Sequence, residues 1–230
     1  LETFERNATA AGVQVHWARD GTEACEIVVE LAHRHGARLV TKSKSMATEE
    51  IHLASALEAA GVEAVETDLG EWLVQLAQEP PFHIIAPAIH KTRQEAAALV
   101  TREAGQPLAS DDIPTITAEA RRILRTCFLE AGMGISGGNI AVAETGSVVL
   151  VTNEGNGRLV TSAPPVHVAV IGIEKVTPTW DDAAVWLSLL ARSSSGQPLS
   201  IYTSIITGPA RAGDADGPEE VHIVLLDNGR

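Results

Sequence analysis

Cysteine is almost missing from this chain: Cys25 and Cys127 are the only two in 230 residues. Two thiols cannot hold an iron–sulfur cluster, which takes about four thiolates, nor a Cys-rich zinc site. A disulfide framework is equally unsupported, so a reducing, cytoplasmic home is expected. Both cysteines lie on helical segments among apolar neighbours and read as buried thiols. Aromatics are scarce, with 3 Phe, 1 Tyr and 4 Trp, which makes the expected core aliphatic. Lys and Arg number 17 against 30 Asp and Glu, a formal net charge of −13. No basic stripe appears, which sets nucleic-acid binding aside; acidity of this kind serves solubility. No run approaches the roughly 18 apolar residues of a membrane span, and no signal peptide is visible.

Several reaction motifs are missing too. The chain has no G-x-x-x-x-G-K-[ST] phosphate loop and no G-x-S-x-G nucleophile elbow. Its eight histidines are scattered without H-E-x-x-H spacing, so no metal site is expected. Gly132–Gly137 fits G-x-G-x-x-G, but a helical pattern precedes it and strands follow, the reverse of a dinucleotide fold.

What is present is an alternation of short strands and amphipathic helices. Strand 13–17 leads to Asp20 and Glu23 at capping-box spacing, then to Ala24, Ile27, Val28 and Leu31 at helical spacing, with Gly36 as a terminator. Strand 37–41 is followed by a helix from Thr48 to Gly61, and strand 62–66 by a helix capped at Asp68 and stopped by Pro80-Pro81. A strand at 82–86, a helix from about Lys91 to Glu103, a loop at 105–115 and an amphipathic helix from Ala120 to Ala131 come next. Strands 139–143 and 147–152 flank a hairpin turn; strand 166–172, a helix capped by Thr179, and strands 200–206 and 221–226 complete the chain. This pattern predicts one α/β domain over 1–230: an open, mostly parallel sheet flanked by helices, with antiparallel strands added in the second half.

Candidate site residues fall in two regions. The glycine-rich run 131–160 reads as the wall of a small-molecule pocket, since clustered glycine allows tight turns or close backbone approach to a ligand. Within it, Gly137, Gly138 and Asn139 lead to Glu144, and Asn153 stands at a later turn. Glu144 is either a general base or carboxylate nucleophile, or a solvated turn residue. The second region is the carboxyl ends of the parallel strands, where open α/β sheets bind ligands. Lys42 and Lys44 there either pair an anionic group or form a solvated basic loop. Glu66 ends a strand, Asp68 is best read as a helix cap, and His90 follows strand 82–86 as a ligand contact or a structural residue.

Seven phrases together resemble one family: KSKSM with Glu49-Glu50 (from Lys42), ETDLGE (Glu66–Glu71), PAIH (Pro87–His90), GISGGNIAVAETGSVVLVTNEGN (Gly134–Asn156), GIEK (Gly172–Lys175), RSSSGQ (Arg192–Gln197) and DGPEEVHIVLLDNGR (Asp216–Arg230). They resemble the lactate utilization protein B family, whose core is the LUD domain, over nearly the whole chain. The resemblance implies a cytoplasmic iron–sulfur protein that works with sister proteins A and C to oxidise L-lactate to pyruvate. It also implies a longer protein, with a helical lead before this stretch. After LDNGR would come a ferredoxin-like module carrying [4Fe-4S] clusters. A first residue of Leu rather than Met agrees with a fragment. The implied fold is that of the sugar-phosphate isomerase and coenzyme A transferase group (NagB/RpiA/CoA transferase-like). The family transfers no firm catalytic residues. Three roles stay open: a redox-complex domain that holds an organic acid and is inactive alone, a transferase or isomerase using Glu144 with the Gly137-Gly138 amides as an oxyanion hole, and a non-catalytic scaffold for the sister subunits.

Overall fold

Turn chemistry sets the frame of this molecule. In the computed structural model, which describes residues 1–230, helix α1 (Glu2–Ala10) leads into strand β1 (Gln14–Ala18). Asp20 then caps helix α2 (Gly21–Arg34), its side chain accepting from the Glu23 amide. Strand β2 (Leu39–Lys42) is followed by helices α3 (Met46–Glu50) and α4 (Leu53–Ala59), strand β3 (Glu63–Glu66) and helix α5 (Leu69–Ala77). Helices α6 (Arg93–Ala104) and α7 (Ile113–Glu130) come next, then strands β4 (Met133–Ser136), β5 (Ile140–Val142) and β6 (Ser147–Thr152). Helix α8 (Asn156–Ser162), strands β7 (Val166–Gly172) and β8 (Val176–Thr177), helix α9 (Trp180–Ser195), and strands β9 (Tyr202–Ile206) and β10 (Glu220–Leu226) complete the chain.

Six strands form a sheet in the order β1-β10-β7-β4-β2-β3, and every pairing in it is parallel. The other four form a mixed sheet, β8-β5-β6-β9, built on the antiparallel β5–β6 hairpin. The α/β architecture with added antiparallel strands is therefore as the sequence pattern predicts. One face of the large sheet packs Val40, Met133, Val168 and Val224 against Val28 and Leu31 of α2 and Leu53 and Leu57 of α4. Its opposite face is covered in two halves. Trp72, Val100, Leu124 and Phe128 of α5, α6 and α7 lie over Val65. Phe4 and Ala8 of α1, with Ala141 and Val148 of the second sheet, lie over Ile171, Ile223 and Leu225. That second sheet is thus a lid on the β7–β10 half of the first.

Four local expectations are corrected. Residues 82–86 form no strand; the segment closes on itself, with the Phe82 amide bonded to the Pro87 carbonyl and His83 Nδ1 accepting from the Ile85 and Ala86 amides. Apart from His83 its run is apolar, yet Phe82, Ile84 and Ile85 stay exposed because no strand pairs with them. The helix read from Thr48 is capped by Ser45 instead and breaks at His52, whose φ is +53°. Helix α7 starts at Ile113, inside the predicted loop, with Asp112 as cap and Pro114 in its first turn, where a missing amide costs nothing. Strand β4 is hidden in sequence by Gly134, which is there for another reason. A Cβ at Gly134 would stand 1.9 Å from the Val160 carbonyl oxygen, so its absence lets α8 lie directly on the strand.

Candidate functional site at the strand ends

Lys42 ends β2 and is 1% exposed. An ammonium out of water needs compensation from partners held in place. Two carboxylates supply it: Nζ donates to Glu49 Oε1 at 2.6 Å and to Glu66 Oε1 at 2.7 Å. The fold sets both partners by register and capping. Lys42 lies opposite Glu66 in the parallel β2–β3 pair, and Ser45 caps α3 so that its first turns carry Glu49 over the strand end. The β2–β4 pair fixes the other side, with the Ser43 amide bonded to the Ile135 carbonyl. Gly137 sits against Ser45, where a Cβ would meet Oγ at 2.6 Å.

Charges in this cluster do not balance. Burial alone would lower the pKa of Lys42, but Glu66 and Glu49 outweigh it and hold the ammonium above the ordinary lysine value. Burial pushes the Glu66 carboxyl up to about 7, because it shares its one close cation with Glu49. Its second oxygen, Oε2, is buried with no hydrogen-bond partner, as is Ser43 Oγ. Glu71 is also buried, and burial, with Glu49 nearby, raises its carboxyl too. Lys44 Nζ stands 3.8 Å from Glu71 Oε1, beyond hydrogen-bond reach, with its side chain 24% exposed. The first residue of α8 closes the group: Asn156 Nδ2 donates to Thr67 Oγ1, which in turn donates to the Lys42 carbonyl. Chemically, this arrangement offers one loosely paired cation at the surface and a buried carboxyl that exchanges its proton near neutrality.

Of the residues singled out from sequence, Lys42, Lys44 and Glu66 come together, and Gly137 adjoins them through Ser45. The others have different surroundings. Glu144 is exposed at the β5–β6 turn, and its Oε2 accepts from the Trp180 amide at the start of α9. Gly138 packs on Ile171 and Val148. Asn139 Oδ1 accepts from the Val151 amide, tying β5 to β6. Asn153 is exposed on the loop before α8. His90 lies on the 80–92 loop, its Nε2 bonded to Glu79 and its ring tilted on Phe82; with no strand at 82–86, it does not follow a strand end. Glu49 and Glu71 are the site residues that sequence reasoning reads differently, as first-turn acids of helices. Their signal was the pairing of K-S-K-S with E-E and of E-T-D-L-G-E with a strand end.

Known proteins match this chain along nearly its full length. The sequence matches the LUD domain family over residues 1–226. It is 46% identical over 231 aligned residues to lactate utilization protein B of Shouchella clausii, covering all of this chain and 48% of that protein. It is 44% identical to an uncharacterized electron transport protein, YkgF, of Escherichia coli, again over all of this chain and 48% of the relative. The chain thus spans about half the length of the curated relatives it matches. Among solved structures, a DUF162 family protein of Deinococcus radiodurans superposes with a TM-score of 0.53 at 12% identity, covering 98% of this chain and 94% of that one, which is a likeness of fold. On the family match over 1–226, this chain belongs to the LUD domain family.

Proposed function

We propose that this chain is the part of a cytoplasmic lactate-utilization protein that holds a small hydroxy or keto acid while electrons are carried elsewhere. Its similarity to lactate utilization proteins B supports the pathway, and the name of the Escherichia coli relative supports electron transport. The family resemblance brings [4Fe-4S] clusters to mind as the carriers, and the residues of this chain do not fit one. Cys25 and Cys127 are its only thiols, and they pack in separate apolar clusters on α2 and α7. In this reading any such clusters would be held by residues other than these, and this chain alone does not oxidise lactate, since electron chemistry needs a carrier.

The observation that carries the reading is the partnerless Oε2 of Glu66, buried beside Lys42 and behind the loosely paired Lys44. In the proposed complex, Lys44 pairs the carboxylate of the acid, and Glu66 takes or returns the hydroxyl proton near pH 7. Lys42 keeps its ammonium between Glu66 and Glu49 and orients Glu66. Titration of the purified chain with L-lactate and pyruvate, followed by amide NMR shifts, tests this. Saturable shifts around residues 42–49 and 66–71 are expected, with affinity at least tenfold weaker in Lys44→Ala. Absence of binding, or binding untouched by Lys44→Ala, overturns the proposal, as does lactate-dependent dye reduction by the chain alone.

A docking role for the sister proteins A and C has its own support. Val185, Trp186 and Leu189 of α9 and Tyr202 and Ile205 of β9 are all exposed apolar side chains, the kind of surface a partner would cover. Trp186→Asp with Ile205→Asp should then weaken co-purification with A or C while leaving the far-UV spectrum unchanged; undiminished co-purification rejects this role.

A further inference from the structure

The amino-terminal end of the large sheet, opposite the strand ends described above, gathers histidines that are far apart in sequence. Glu220 and His222 stand two residues apart on β10, so their side chains share one face. His35, at the carboxyl end of α2, reaches the same place. His222 Nε2 lies 3.5 Å and His35 Nε2 3.8 Å from Glu220 Oε2. All three ligand atoms lie within 4.8 Å of one another. Both Nε2 atoms are buried, and neither has a hydrogen-bond partner. A buried ring nitrogen with nothing to bond is costly, and two of them facing one carboxylate oxygen need a reason.

We propose that His35, Glu220 and His222 form a binding site for a divalent transition-metal ion of the zinc type. Two imidazoles and a carboxylate are a zinc donor set that leaves the fourth position open. Ligands at about 2.0–2.1 Å around a tetrahedral zinc stand about 3.3 Å apart; the two nitrogen–oxygen separations, 3.5 and 3.8 Å, are close to that, and the two nitrogens, within 4.8 Å of each other, would draw together on binding. The outer partners are in place as well. His16 Nε2 is 3.0 Å from His222 Nδ1, on the ring's far side, and Gln14 Nε2 donates to Glu220 Oε2 at 2.9 Å. Partners of this kind fix ring orientation at metal centres. Arg34, next to His35 at the end of α2, is paired with Glu30 at 2.6 Å. Such an ion would clamp the end of α2 to β10 and, through His16, to β1. The scattered spacing that argued against a metal in the sequence is overcome by the fold.

The test uses the purified chain freed of metal by chelator. Zinc is titrated in competition with a chromophoric chelator, and cobalt(II) is added to a second sample to read its visible absorption. One equivalent is expected to bind tightly, with the intense visible band of a four-coordinate cobalt site. Affinity should fall at least tenfold in His35→Ala and in Glu220→Gln. Glu220 is solvent-accessible, so its variant keeps the test valid if His35→Ala misfolds. His52→Asn, at an exposed histidine outside the site, should bind as the parent does. The proposal is overturned if no tight equivalent appears, if Glu220→Gln binds unchanged, or if His52→Asn weakens binding equally.

Discussion

Glu66 and Glu49 approach the same ammonium, that of Lys42, at 2.7 and 2.6 Å, yet only Glu66 is fully enclosed. One cation thus serves two acids of unequal burial. Removing the cation strands both. Lys42→Met is expected to destabilise the fold by about 3–5 kcal/mol, the cost of leaving a buried charge without its partner. Glu66→Gln leaves Lys42 paired with Glu49 and should cost clearly less. Urea unfolding of the two variants at pH 7 decides this; equal losses would deny that Glu49 shares the charge.

The pH dependence has two opposing parts. The Glu66 carboxyl, raised from 4.5 to about 7, binds its proton more tightly in the folded state. Its contribution is fully present below about 4.5 and is lost as pH rises through 7. His167 is the reverse case. It is fully buried beside Ser136 Oγ at 2.8 Å, and burial, with His222 adding, pushes its ring from 6.5 down to about 4. Its contribution is present above 6.5 and lost as pH falls through 4. Each unit is worth about 1.4 kcal/mol. His222, pushed down to about 4 mainly by burial, adds a second contribution of the His167 kind, so parent stability should fall as pH drops from 6.5 toward 4. Glu66→Gln should steepen that acid-side loss, and His167→Gln should flatten the profile. Parallel pH profiles for the parent and both variants would contradict this.

Gly134 and Gly155 lie in the same glycine-rich run and should respond oppositely to alanine. At Gly134 the new methyl meets the Val160 carbonyl, and α8 must move; a loss of about 1–3 kcal/mol is expected. At Gly155 nothing lies within 4 Å, so Gly155→Ala should stay within about 0.5 kcal/mol of the parent. Thermal melts of both variants would show it.

Glu144 places a carboxylate on the first amide of α9, where a helix end carries partial positive charge. Glu144→Gln keeps an acceptor but loses the charge. The expected cost is about 0.5–1 kcal/mol, shrinking in high salt. A salt-independent loss would assign the contact to hydrogen bonding alone.

Much of this was legible because local signals and burial agree. Asp20, Asp68 and Thr179 each precede an amphipathic run, and each is a cap in the structure. The strands ending at Lys42 and Glu66 could be read as ligand-facing because parallel sheets present their carboxyl ends. The run Phe82–Ala86 misleads, since apolarity alone cannot supply a neighbouring strand. Glycines 134 and 138 mislead differently. They read as ligand-facing backbone, whereas each admits a neighbouring element: Val160 of α8 and Ile171 of β7. Glu49 and Glu71 escape because a first-turn acid looks the same whether it caps a helix or reaches across to a lysine. Local patterns report on the turn a residue occupies; which distant side chain it meets depends on strand order.

Strand β1 has a single neighbour, β10, and Gln14 lies opposite His222. Everything between them must be synthesised before the two can meet. On the ribosome, β1 therefore waits with its pairing edge open until β10 emerges, while β2 and β3 have long been available to each other. Such long-range closure makes for slow completion. During that interval the hydrogen-bonding edge of residues 14–18 stays open to other chains.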